Sequence, residues 1–139
     1  MTKIKEPVIN TNDKVVSFDV DDTLVMWDAD CNQPGEGKIA VLDPYQSAGY
    51  GEVPIYIYLT PHEKHIQKLK GYARSGFYII IWSMGGGEWA RNVADALKLT
   101  EYCDLISGKP VYLYDDMPLN EAFGERKYFQ PKKAGDKDE

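Results

Sequence analysis

Five aspartates stand in two groups that each follow an apolar run. Asp19, Asp21 and Asp22 come at the end of residues 14–20, and Asp115 and Asp116 come directly after residues 111–114. If the chain brought both groups together, their like charges would repel strongly unless a cation sat between them. Ligation by carboxylates, a main-chain carbonyl and waters suits the hard ion Mg2+. The plainer reading makes strand-end aspartates ordinary turn formers. One pair would be consistent with that, but two pairs after two apolar strands favour a site.

Two further segments could serve such a site. Ser83-Met84-Gly85-Gly86-Gly87 lies between an apolar run and a helical pattern. A hydroxyl followed by small residues lets backbone N–H groups approach an anion at a helix N-terminus. Taken alone, the segment reads as a flexible turn, and no Gly-Lys-Ser/Thr follows that would make it a nucleotide-triphosphate loop. Lys109 precedes Asp115 by six residues. A lone loop lysine is usually just solvated, but here its ammonium could reach the carboxylates and an anionic ligand. His62 and His65 share a helix face with no carboxylate or thiol at a recognised ligand spacing, and read as surface or helix-start residues.

The elements that must position these residues are legible in part. Residues 14–20 read as a buried strand, and 38–42 and 53–59 as a hairpin in which Ile55 and Ile57 alternate with Tyr56 and Tyr58. Thr60-Pro61-His62-Glu63 predicts a helix start, with Thr60 as cap, Pro61 in the first turn and Glu63 completing a capping box. Ile66, Leu69, Tyr72 and Ala73 continue that helix at the right spacing, and Gly76 ends it. Residues 77–82 lack alternation and predict a strand buried on both faces. A second helix over 88–99 and short strands at 103–106 and 111–114 follow, with a brief helical turn after Pro118. Strands alternating with helices predict an α/β fold, a Rossmann-like three-layer sandwich around a mostly parallel sheet. In such folds ligands sit at the carboxyl ends of the strands.

The chain has 139 residues, which suits a single domain over 1–130 with a flap at about 28–59. Residues 131–139 lack apolar anchors and are expected to be disordered. Hydrophobic content of 43% and charged content of 27% are those of a globular protein. A net charge of −6 argues against an extended nucleic-acid footprint and against anionic membranes. No leader is recognisable and no apolar run is long enough to span a bilayer. Cys31 and Cys103 match no metal or disulfide pattern and read as reduced thiols, so the expected location is cytoplasmic.

Phe18-Asp19-Val20-Asp21-Asp22-Thr23-Leu24 resembles the Asp-x-Asp-x-Thr signature of the haloacid dehalogenase-like hydrolase superfamily. Only Asp19 has an aspartate two residues on and a threonine four residues on, so the register is unambiguous. Ser83, Lys109 and Asp115-Asp116 resemble the second, third and fourth motifs of that family, in the family's order. The resemblance implies that Asp19 is a nucleophile that forms an aspartyl phosphate. It implies that Asp21 acts as acid and then base. Mg2+ would be held by Asp19, the Asp21 carbonyl and Asp115, with Asp116 ligating through water or orienting its neighbour. Ser83, the Met84 and Gly85 amides and Lys109 would hold the phosphoryl oxygens. Asp22 receives no catalytic role, and Thr23 stabilises the loop.

Asp21 also bears on the reaction type, because relatives that release halide lack an acid at that position. Only about 36 residues separate Thr23 from Thr60, which is space for a loop and a flap and not for a folded cap domain. The chain therefore resembles capless members, whose open sites admit a phosphorylated small molecule or the phosphorylated end of a macromolecule. Tyr45, Tyr50, Tyr56 and Tyr58 on the flap could stack on a base, although alternating tyrosines are also simply good hairpin residues. The function expected is a Mg2+-dependent phosphomonoester hydrolase. The alternatives are a non-catalytic phosphate-binding module and a phosphotransferase with an acceptor other than water. Neither the natural substrate nor the oligomeric state is legible.

Overall fold

The computed structural model describes residue 5 and residues 14–28, 30–45 and 53–130. The tail over 131–139 and part of the flap, including Tyr50, lie outside the described residues. In chain order the elements are β1 (Val15–Asp19), β2 (Val25–Met26), β3 (Ile39–Leu42), β4 (Tyr56–Pro61), α1 (Glu63–Arg74), β5 (Tyr78–Ser83), α2 (Gly87–Ala96) and β6 (Leu105–Gly108). They make a mixed α/β architecture. One sheet is parallel in the order β1-β5-β6, and the other is antiparallel in the order β2-β4-β3.

Both crossovers in the parallel sheet run the same way, from β1 to β5 and from β5 to β6. Right-handed crossovers in one direction put both helices on one face of the sheet. Burial follows that rule. Phe18, Ile79 and Ile81 point to the covered face and join Ile66, Leu69, Ala90 and Val93 in one apolar cluster. On the other face Val15 is 54% and Leu105 43% exposed, with Tyr78, Ile80 and Trp82 half-buried. The β5 run is therefore buried on one face and not on both. Its continuous apolar pattern does not reveal this, because alternate Tyr and Trp residues tolerate a half-wet surface.

The start of α1 lies later than expected. Thr60 and Pro61 belong to β4, where they pair with Met26 and Val25 of β2. His62 is the cap, and its Nδ1 accepts the His65 amide at 3.2 Å. Both histidines are buried, their rings stacked 3.7 Å apart, so they are not surface residues. The end of α1 matches expectation. Gly76 takes a φ of +85°, which glycine adopts without strain. The Gly76 amide donates to Ala73 O and the Phe77 amide to Tyr72 O, closing a Schellman motif over which the Tyr72 and Phe77 rings meet edge to face.

The strand expected at 111–114 is not formed, and Val111, Tyr112 and Tyr114 are each more than four-fifths exposed (85%, 84% and 99%). Chain reach accounts for this. The edge of β1 away from β5 pairs with no strand among the described residues. Strands lie roughly 4.8 Å apart and rise about 3.3 Å per residue, so a parallel place at that edge begins about 20 Å from Gly108. Lys109 and Pro110 carry the chain only about 10 Å to Val111. The strand expected at 103–106 forms two residues later, as β6. Among the described residues no helix is long and apolar enough to cross a membrane.

Candidate active site

The carboxyl ends of β1, β5 and β6 lie side by side, with Asp19 opposite Trp82 and Ser83 opposite Gly108. Lys109 follows β6 directly, and its amide donates to Ser83 O at 3.0 Å. Its ammonium then stands 3.2 Å from Asp19 Oδ1, with each side chain about one-third exposed (33% and 34%). Asp19 is thus paired with a cation at the rim of the sheet, and Thr23 Oγ1 lies 3.4 Å from its second oxygen.

Residues 20–25 form a tight turn that presents Asp21. The Leu24 and Val25 amides both donate to Val20 O, and Asp22 sits at a φ of +57°. Asp22 accepts the Trp27 amide at 2.9 Å, a structural use of its carboxylate. The turn is tied to α1 through the His62 amide on Leu24 O and through His65 Nδ1, 2.7 Å from Thr23 O. The buried histidines thus anchor the loop that carries Asp21.

Asp21 is the most heavily held carboxylate in the site. Its Oδ1 accepts the indole N–H of Trp27 at 2.8 Å and that of Trp89 at 3.0 Å, and its Oδ2 accepts Ser83 Oγ at 3.0 Å. Indole N–H groups only donate, so a proton on this carboxyl group resides on Oδ2. Trp27 and Trp89 did not emerge from the sequence reading. The available signal was physical: a buried indole needs an acceptor, and Trp89 opens α2 beside a glycine-rich turn.

Ser83 is fully buried and shares its hydroxyl between two tasks. It donates to Asp21 and accepts the Gly85 amide at 2.9 Å. The Gly85 amide, expected to face an anion, is thus turned inward, while the Met84 side chain is 86% exposed. Beside Asp21 a hollow of about 210 Å³ opens, lined by Asp21, Trp27, Asp43, Tyr45, Ile57 and Trp89. The Tyr45 hydroxyl donates to Gly85 O across its rim. Asn92 of α2 donates to Leu42 O at 2.9 Å and holds the end of β3 against α2. A larger hollow of about 420 Å³ lies at the other end of α1, around Lys68, Tyr72 and Phe77, with no carboxylate among its described lining residues.

Asp115 and Asp116 do not join the others. Both are exposed on the segment after β6, and Asp115 Oδ1 accepts the Met117 amide of its own turn at 2.9 Å. Among the described residues no group of three or more His, Cys, Asp or Glu side chains is placed to hold a metal ion. Asp19 is engaged by Lys109, and Asp21 by Ser83 and two indoles. This arrangement does not fit a Mg2+ ion. Four of the expected residues, Asp19, Asp21, Ser83 and Lys109, are brought together, and the aspartate pair at the chain's far end is not. Comparison with protein-family models, curated proteins and solved structures returned no match for this chain.

Proposed function

We propose that the chain is a phosphomonoester hydrolase with Asp19 as nucleophile and Asp21 as acid and base. The observation that supports this reading is the meeting of Asp19, Asp21, Ser83 and Lys109 at the carboxyl ends of three parallel strands. In α/β sheets that is where ligands bind. An Asp19 oxygen attacks phosphorus, and the bond to the leaving oxygen breaks with its electron pair. The leaving oxygen takes the proton from Asp21 Oδ2, giving an alcohol and an aspartyl phosphate. Water then attacks phosphorus and gives one proton to Asp21. The bond to Asp19 breaks, its electron pair returns to the carboxylate, and inorganic phosphate leaves. Lys109 offsets the repulsion between Asp19 and an anionic ester and stabilises charge on the phosphoryl oxygens.

Mg2+ held by Asp19, Asp21, Asp115 and Asp116 is what the sequence resemblance implies. Among the described residues those four carboxylates do not converge on one point, and the mechanism is carried by Asp19, Asp21 and Lys109. A Rossmann-like three-layer sandwich is the finer form of the same reading, and it requires cover over the Val15, Ile80 and Leu105 face. Separation of Asp115 and Asp116 from Asp19 favours one alternative, a phosphate-binding module without turnover. Phosphate release from an aryl phosphate ester, with Mg2+, with chelator and with Asp19→Asn, tests the proposal. Release that is lost in Asp19→Asn supports it, and full activity in that variant refutes the mechanism. No release from the wild type, together with tight fluoroberyllate binding, would favour the binding module.

A further inference from the structure

We infer that the leaving group of the ester carries a planar aromatic ring, seated in the hollow beside Asp21. This rests on the hydrolase reading and names the substrate class for it. Asp21, the candidate acid, forms part of the wall of the hollow, which gives a leaving alcohol room beside it. Three aromatic side chains line the same space. Trp27 is 46% and Tyr45 59% exposed, whereas Trp89 is buried at the back. Aromatic faces left open next to a candidate acid are surfaces on which a second ring can stack.

These rings are fixed before any ligand arrives. The Trp27 and Trp89 indoles are both bonded to one oxygen of Asp21, with ring centroids 6.0 Å apart and planes at 41°. Tyr45 is tied to Gly85 O. Walls held this way lose little freedom on binding, which favours affinity. The volume of about 210 Å³ lies below the roughly 300–1,000 Å³ of sites for drug-sized ligands. It suits one ring system and not a whole cofactor.

Charge narrows the class further. Asp21 and Asp43 are the carboxylates among the described lining residues, and no Lys or Arg is among them. A leaving group with a second phosphate or a carboxylate next to its ring finds no Lys or Arg to pair with among those residues. A ring bearing N–H or ammonium donors is favoured. A tyrosine-type phenol and a nucleoside both meet this description, and they are separated by the choice of ester.

The test compares kcat/KM for O-phosphotyrosine, adenosine 5′-monophosphate and glycerol 3-phosphate, in the wild type and in Tyr45→Leu. Tryptophan fluorescence is followed while adenosine, tyrosine or glycerol is added to the wild type. We expect at least one aromatic ester to exceed glycerol 3-phosphate by about tenfold, the scale of one stacking contact. That ratio should fall to about threefold or less in Tyr45→Leu, whose melting temperature checks the fold. The preferred ester identifies the kind of ring. Equal turnover of all three esters, with a ratio unmoved by Tyr45→Leu, overturns the inference and leaves the hydrolase standing. Quenching by adenosine or tyrosine without release from any ester keeps the aromatic site and refutes the hydrolase. Neither quenching nor release overturns both.

Discussion

Lys109 Nζ stands 3.2 Å from Asp19 Oδ1 across the ends of β6 and β1, two strands apart in the parallel sheet. The pair is formed because β5 lies between those strands and because the Lys109 amide is pinned to Ser83 O. A cation fixed at the base of a candidate nucleophile is placed to meet a second anion, the phosphoryl group.

Lys109→Met keeps most of the side-chain volume and removes the charge. The pair is about one-third exposed on each side, so its loss should change stability by only about 0–1 kcal/mol. Phosphate release should fall by about 10²–10³-fold if the ammonium stabilises charge on the phosphoryl group. A thermal melt beside a rate assay separates the two effects, and an unchanged rate would remove Lys109 from the mechanism.

Ser83→Ala tests the buried hydroxyl. Asp21 Oδ2 loses its donor and the Gly85 amide loses its acceptor, around a hydroxyl that is itself fully buried. A cost of about 1–3 kcal/mol is expected, with a lower melting temperature. Ser83→Thr retains the hydroxyl and should recover activity only if its extra methyl fits. Wild-type stability in Ser83→Ala would show that the hydrogen bonds to Asp21 and Gly85 contribute nothing net.

The parts of the molecule written in local chemistry were legible, and those set by reach and by which face is covered were not. The Asp-x-Asp-x-Thr turn, the glycine after α1 and the strand ending at Ser83 are local and stand where the residues suggest. The indole ligands of Asp21 come from positions six and sixty-eight residues away, and only folding makes them neighbours. Residues 111–114 carry a strand's composition, yet two linking residues are too few to take them to the far edge of β1. Thr60 and Pro61 carry a helix-start signal, but pairing with β2 overrides it because a ladder satisfies more backbone groups than one cap. His62 and His65 read as surface or helix-start residues; His62 does cap α1, but nothing local reveals that the loop after β1 will cover both.

Cys103 offers a pH-dependent check of the packing around β6. Burial, with Asp104 adding to it and Lys5 partly offsetting, pushes its thiol up from 9.0 to about 12. The folded chain therefore holds this proton after the unfolded chain has released it. Stability is unaffected by this group below about pH 9 and falls as pH rises from about 9 towards 12. Alkylation at pH 8, followed by peptide mapping, should label Cys103 at least about a hundredfold more slowly in the folded than in the denatured chain. Equal rates would mean that the Leu99–Cys103 corner opens readily.

Two glycines should respond to alanine in opposite ways. Gly71 lies on the exposed side of α1, where an added Cβ meets nothing within 4 Å. Gly71→Ala removes backbone freedom from the unfolded chain and should stabilise by about 0.5–1 kcal/mol. Gly86 caps α2 at a φ of +101° and a ψ of 167°, a region that side-chain-bearing residues avoid. A Cβ there would collide with the Tyr45 hydroxyl. Gly86→Ala should cost about 1–3 kcal/mol. It should also push Tyr45 off Gly85 O, so that the preference for aromatic esters drops with the melting temperature. If Gly86→Ala melts like the wild type and keeps that preference, Tyr45 is not seated against the start of α2, and the aromatic wall beside Asp21 loses one of its three sides.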